Sequence, residues 1–330
     1  MLMVPMSGTS TVTFFLAVRT GSRQETPALS GVSHFLEHLF FKGSKRRPST
    51  RQISEAIDGV GGEMNAFTSK EVTVFHAKAS HRHAELIVDV ISDMVLHPLL
   101  KAEEIERERG VVIEEINMYE DAPMRHVGEI FEETLFGLHA LARPVIGTKE
   151  NISRFPRETI LRYLKRQYRA GSIVACLAGN VDPAEGFAIL RRALQTFPAG
   201  HAAPASPFRK QFGRERVHVR GKNTDQTHVV IGAPGVSALH RDRPAVDLLA
   251  VILGGGMSSR LFLEVRERRG LAYAVRTSPD YLVDTGYVAT QAGLDTTKLL
   301  DACRVILREH ARLRETRVSN AELNKAREFL

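Results

Sequence analysis

Cysteine is scarce in this sequence: Cys176 and Cys303 are the only two among 330 residues. Both sit in apolar contexts, so each is expected as a buried thiol, not as half of a disulfide or a ligand pair. Nothing here marks an oxidising compartment. No apolar run reaches the roughly 20 residues that a spanning helix needs. The first residues, MLMVPMSGTSTVTFFLAV, lack a basic stretch and a small-residue cleavage site. They read as a Thr/Val/Phe-rich strand. A cytoplasmic protein with no membrane partner is the expectation. Positive charge is also unconcentrated. The net charge is +7, yet Lys and Arg are interleaved with acids in EEIERERG and LEVRERRG. A nucleic-acid-binding protein would need a basic stripe with interleaved aromatics, so no nucleic-acid partner is expected.

What is present is globular material. With 43% apolar and 25% charged residues, the chain can build one large core or two ordinary ones. Periodicity predicts strands at 10–19, 63–69 and 72–79, the last two joined by a tight turn at Ser69–Lys70. Helices are predicted at 31–41, from Ser49 or Thr50 to Gly61–Gly62, and at 81–96, 101–120, 124–137 and 157–168. A strand, SIVACLAGNV, then leads to a helix at 183–195. The Pro- and Ala-rich FPAGHAAPASPFRK (197–210) has no periodicity and reads as a linker. The pattern then restarts, with strands near 214–219, 226–233, 272–281 and 285–293. Helices fall near 242–253, 258–269, 295–313 and 319–330. LGGGMSSRL (253–261) lacks the Gly–Lys–Ser/Thr of a phosphate loop. It reads as a loop into a helix capped by Ser258 or Ser259. Strand, helices, strand pair and long helices thus occur twice. The expectation is an α+β fold of two related halves, each a mainly antiparallel sheet packed with helices. The division drawn is 1–200, a linker at 201–212, and 213–330. The chain stops in mid-helix, so the second half is expected to be truncated.

The chemistry-bearing stretch is SGVSHFLEHLFFKGS. His34, Glu37 and His38 have i, i+3, i+4 spacing, which stacks them on one helix face. Two imidazoles at i, i+4 can reach one ion, and a carboxylate beside a metal's open position can take a proton from water. Phe35, Leu36, Leu39 and Phe40 crowd the same helix and predict its burial. A third ligand is expected from EEIERERGVVIEEINMYED. Glu108 and Glu115 are two turns apart with Val111 and Val112 between them, which places both carboxylates on a partly buried face. Glu114 lies about 100° round the helix from Glu115 and is the weaker candidate. GGEMNAFTS reads as a sheet edge that could take a peptide as an added strand, with small Ala66 admitting another backbone. His76, His81 and His83 straddle a strand end and a helix start and are expected at the surface.

HFLEH with the later Glu115 resembles the inverted zinc motif of the pitrilysin/insulinase metallopeptidase family. GGEMNAFTS, ERERGVVIEEI, CLAGNVD and GGGMSSRLFLEVRERRGLAYAV resemble further landmarks in family order. The resemblance therefore spans essentially the whole chain, and the short, processing-peptidase-like branch fits best. It implies an endopeptidase with one Zn²⁺ per catalytic half. His34, His38 and Glu115 would be its ligands, Glu37 the general base, and Glu108 a carboxylate behind the ligands. It also implies that Asn65 and Ala66 line the substrate strand, and that Arg266 and Tyr273 hold the substrate backbone and steady the cleavage intermediate. The implied substrate is a short or unfolded polypeptide. The implied partner is a second such chain, in a homodimer or a heterodimer of related subunits. A non-catalytic scaffold of the same fold is the rival reading, and a scaffold has no need of all four metal-site residues.

Overall fold

Alternation in TVTFFLAV sets the first unit. Val12, Phe14, Leu16 and Val18 are fully buried, while the residues between them face outward or sit half-buried. That is the period of a strand with one face on a core, and each such side chain contributes about 1.5–3 kcal/mol on burial. The computed structural model describes every residue except Lys210, Gln211, Arg214 and Glu215. Its elements up to Leu194 are, in order, β1 (Leu2–Pro5), β2 (Thr11–Val18), α1 (Val32–Phe40), α2 (Thr50–Asp58), β3 (Glu63–Thr68), β4 (Thr73–Ser80), α3 (Ala84–Leu96), α4 (Ala102–Glu120), α5 (Pro123–Phe136), α6 (Lys149–Arg154), α7 (Arg157–Gln167), β5 (Ile173–Gly179) and α8 (Pro183–Leu194). They continue with β6 (Thr227–Pro234), α9 (Arg243–Gly254), a π-helix (Phe262–Glu267), β7 (Ala272–Tyr281), β8 (Gly286–Leu294), α10 (Leu299–Glu315) and α11 (Asn320–Phe329).

The chain forms two units, Met1–Met118 with Arg143–Ser206, and Tyr119–Ala142 with Pro207–Leu330. In the first, the sheet order is β1-β5-β2-β4-β3. Only β1 and β5 run parallel. Helix α3 packs on β2 and β4, and α1 packs on β3 and β4. Ser49 caps α2 through its hydroxyl, which accepts from the Gln52 amide at 3.3 Å. Strand β3 is outermost, so one of its edges is unpaired within this sheet.

In the second unit the sheet order is β6-β8-β7, all antiparallel. Its core joins Leu253, Leu261, Val265, Val275, Ala292 and Ile306. From β2 on, the first unit runs strand, two helices, hairpin, two helices, with β2 beside β4. The second unit repeats that order as β6, α9, the π-helix, β7–β8, α10 and α11. The fold is α+β with two related halves. Among the described residues, no helix is long and apolar enough to cross a membrane.

Five expectations need correction. Tyr119–Ala142 belongs with the second unit and not the first, because α5 packs on β6. The expected strand at 214–219 does not form over Arg216–Val219, which pair with no strand among the described residues; 214 and 215, like 210 and 211 of the linker, lie outside the described residues. Cys176 and Cys303 are free but half-buried, not buried. The Ser259 hydroxyl is buried with no hydrogen-bond partner among the described residues, and no side-chain cap forms on the following helix. The helix over 258–269 winds mostly as a π-helix. Two elements had no clear signal: β1 is four residues long, and α6 is six.

Candidate functional site

Helix α1 is held from its first turn. Gly31 begins it with φ +97°, in the left-handed region, and a Cβ there would come within 2.8 Å of the Gly147 Cα. Only glycine tolerates both demands. The buried Glu25 carboxylate accepts from the Gly31 amide (2.8 Å) and the Ser33 amide (2.7 Å), two of the first-turn amides that a helix leaves unpaired. Arg143 donates to the Glu25 carbonyl oxygen. The Ser33 and Tyr163 hydroxyls bond at 2.7 Å, and Tyr163 bonds to Thr20 at 2.9 Å. Phe35, Leu36, Leu39 and Phe40 are fully buried, so α1 can present its polar residues only along one stripe.

Burial pushes the Glu25 carboxyl from 4.5 up to about 7, against the lowering effect of its two amide bonds. The folded state thus holds this proton more tightly than the unfolded chain. Its contribution to stability is full below about 4.5 and is lost as pH rises through about 7. Glu25→Gln removes that loss. Denaturant unfolding should therefore show the stability of Glu25→Gln gaining on wild type by about 2–3 kcal/mol between pH 5 and pH 8. A stability difference that stays constant over that range would contradict this.

The stripe on α1 faces α4. On α4 the buried residues are Ile105, Glu108, Val112 and Ile116, and Glu115 sits at the rim, 24% exposed. Val111, expected on the buried face, is exposed, because it falls about 100° from Val112 on the side away from Ile105 and Ile116. Glu114 is exposed and accepts from Asn117. Glu115 Oε2 is 3.7 Å from His34 Nε2 and 3.4 Å from His38 Nε2. One ligand atom from each of these three residues lies within 4.8 Å of the others. No other such group occurs among the described residues. Donors around a tetrahedral ion with ~2.1 Å bonds are roughly 3.4 Å apart, so the set has the right size for one ion with a position left open.

Each donor is set by a neighbour. His38 Nδ1 bonds Glu108 Oε1 at 2.9 Å, which leaves Nε2 turned to the site. Glu108 is 3% exposed, and Lys42 Nζ lies 2.6 Å from its other oxygen. Burial alone would raise the Glu108 carboxyl, but the bonds from His38 and Lys42 hold it low. Burial likewise opposes charge on His38, but its bonds to Glu108 and Glu115 raise it to about 9. Burial and the neighbouring His38 lower His34 to about 4, so its ring stays neutral with lone-pair capacity. Hydrogen bonding from His38 keeps Glu115 anionic. Two imidazoles, a carboxylate and a carboxylate behind one imidazole form a donor set suited to zinc.

Glu37, between the two histidines in sequence, is nearly buried, and burial raises its carboxyl. Its Oε2 accepts from Thr68 Oγ1 at 2.5 Å. On the outermost strand, Asn65 is exposed and Ala66 half-buried, and the Asn65 Oδ1 accepts from the Ala66 amide at 2.8 Å. His76 and His83 are half-buried and His81 is exposed, and they do not gather with the metal-type donors.

Arg266 and Tyr273 belong to the second unit. The structure brings them to each other: the guanidinium sits 5.2 Å from the Tyr273 ring centroid and 4.8 Å from that of Phe262. Gly270, at φ +56°, turns the chain between them. Tyr273 falls at a register shift between Ala272 and Ala274, the position of a β-bulge, and is 77% exposed. Bulges of this kind re-aim a side chain. Helix α9 holds the place in this unit that α1 holds in the first, and its residues, RPAVDLLAVILG, include no histidine or glutamate.

Sequence reasoning missed Glu25, Lys42, Thr68 and Tyr163. Lys42 and Thr68 lay inside quoted motifs, but their partners are fixed only by tertiary packing.

Residues 2–149 match the family model for insulinase, peptidase family M16, and residues 154–330 match that for the peptidase M16 inactive domain. A Streptomyces coelicolor protein named an uncharacterized zinc protease is 39% identical over 95% of this chain and 70% of its own length. The uncharacterized zinc protease YmxG of Bacillus subtilis is 36% identical over 94% of this chain and 75% of its own. Among solved structures, a protease from Helicobacter pylori superposes with a TM-score of 0.90 at 22% identity, covering 98% of this chain and 79% of that one. The likeness to that structure concerns the fold.

Proposed function

Because the chain belongs to the insulinase family of peptidases, family M16, we propose that it is a zinc-dependent endopeptidase acting on short or unfolded polypeptides. The observation that carries this reading is the convergence of His34, His38 and Glu115 within 4.8 Å, with Glu37 on the same helix. His34 Nε2, His38 Nε2 and Glu115 would hold the ion. When bound, zinc supplies a Lewis acid that polarises a carbonyl and makes water more acidic. Glu37 takes the proton of the attacking water at its untethered oxygen and delivers it to the leaving amine. Glu108 accepts from His38 Nδ1 and so keeps the ring oriented with Nε2 toward the site. The open edge of β3 takes the substrate as an added strand, with Asn65 and Ala66 alongside it. The family resemblance supports Arg266 and Tyr273 as donors to the substrate backbone.

Cleavage of an unfolded polypeptide that stops on chelation and returns with zinc is the expected result. Cleavage indifferent to chelation would sink the reading.

The two halves divide the work, metal in the first and backbone donors in the second, so the protein is read as working as a dimer of identical or related chains. Arg266→Ala and Tyr273→Phe should each lower kcat/KM by at least about 10-fold with zinc content unchanged, and light scattering should report a dimer. A fully active monomer indifferent to both substitutions would contradict it.

A further inference from the structure

We propose that Thr68 is a positioning residue that fixes the orientation of Glu37 and ties it to the strand that takes the substrate. The inference rests on the reading of Glu37 as the proton-accepting group. Thr68 is the last residue of β3, the outermost strand of its sheet. Its side chain shares a face with Ala66 and Met64, by the period of the strand. Its hydroxyl lies 2.5 Å from Glu37 Oε2. The direction of that bond is set by the neighbours. Thr73 Oγ1, 3.4 Å from Thr68 Oγ1, gives its own proton to the Thr20 carbonyl at 3.0 Å. Thr73 therefore has no proton left for Thr68, and the Thr68 proton goes to the carboxylate.

Glu37 is 8% exposed, and a carboxylate so placed needs a donor. Among the described residues, Thr68 supplies its one hydrogen bond. With Oε2 tethered, Oε1 is the oxygen left to exchange a proton. The tether also spans two elements, α1 and β3. A shift of the substrate strand would be felt at the base, so a substrate seated in register would find the carboxylate already aimed.

Valine and serine separate the hydroxyl from the shape. Thr68→Val should bind zinc with wild-type stoichiometry and melt within a few degrees of wild type. Its kcat should fall by about 10-fold or more with KM little changed, as expected when a buried charge loses a donor. Thr68→Ser should restore kcat to within about 3-fold of wild type. A second readout needs neither metal nor substrate. In the metal-free protein, the ¹³Cδ resonance of Glu37, identified by its absence in Glu37→Gln, should move in Thr68→Val and stay in place in Thr68→Ser. Equal loss of kcat in the two variants, or an unmoved resonance in Thr68→Val, would overturn the proposal. A wild-type protein that neither binds zinc nor cleaves peptides would instead count against the reading of Glu37, and the resonance would still report the tether.

Discussion

Glu37→Gln will load zinc as wild type does and lose hydrolysis by about 10²–10⁴-fold. The amide has nearly the same shape and can still accept from Thr68, so α1 should hold its place. It cannot take a proton at neutral pH, which is the property the reaction needs. Glu37 lies on the stripe of α1 that carries both histidines, yet no ligand atom of it joins the His34, His38 and Glu115 set. The substitution therefore separates metal binding from proton transfer. Metal analysis and initial rates on the same preparation provide the check. Near-wild-type cleavage by the zinc-loaded variant would remove Glu37 from the mechanism.

Glu115→Ala will weaken zinc binding more than the 10- to 100-fold typical of losing a residue behind a ligand, and Glu114→Ala will leave it unchanged. The two glutamates are adjacent in sequence, so composition cannot tell them apart. The helix can: Glu115 Oε2 lies within 4 Å of both histidine Nε2 atoms, at 3.7 and 3.4 Å, while Glu114 is exposed and accepts from Asn117. Glu108→Gln should fall between them, since it leaves an acceptor for His38 Nδ1 but removes the charge that raises the ring's basicity. Competition with a chromophoric chelator ranks all three. Loss of metal from Glu114→Ala with retention in Glu115→Ala would mean that α4 is rotated by one residue from the position described.

The grouping of His34, His38 and Glu115 was legible in the sequence because its parts are local. Three residues of one helix turn and two acids of another follow from helical period, and the Phe and Leu residues around them announce burial. The fold was legible for a similar reason: β2 and β3 alternate in burial, and α3 and α4 are long and periodic. Val111 misled because a face was drawn through Glu108 and Glu115 as its centre, whereas the buried stripe centres on Val112 and leaves Glu115 at the rim. The place of residues 119–142 was hidden because α5 packs on β6, about a hundred residues further along, and no local pattern encodes that pairing. Thr68, Lys42 and Glu25 were illegible in the same sense. A threonine in a strand, a lysine after a helix and a glutamate before one are ordinary until packing brings Glu37, Glu108 and the first turn of α1 to them.

The central claim is that His34, His38 and Glu115 hold one zinc on which hydrolysis depends. The most direct measurement adds zinc stepwise to chelator-stripped protein and follows bound metal and cleavage of an unfolded peptide together. The account predicts that both rise in parallel and saturate at about one equivalent per chain, and that His38→Ala shows neither. Cleavage that runs at full rate without zinc, or undiminished zinc uptake by His38→Ala, would contradict it.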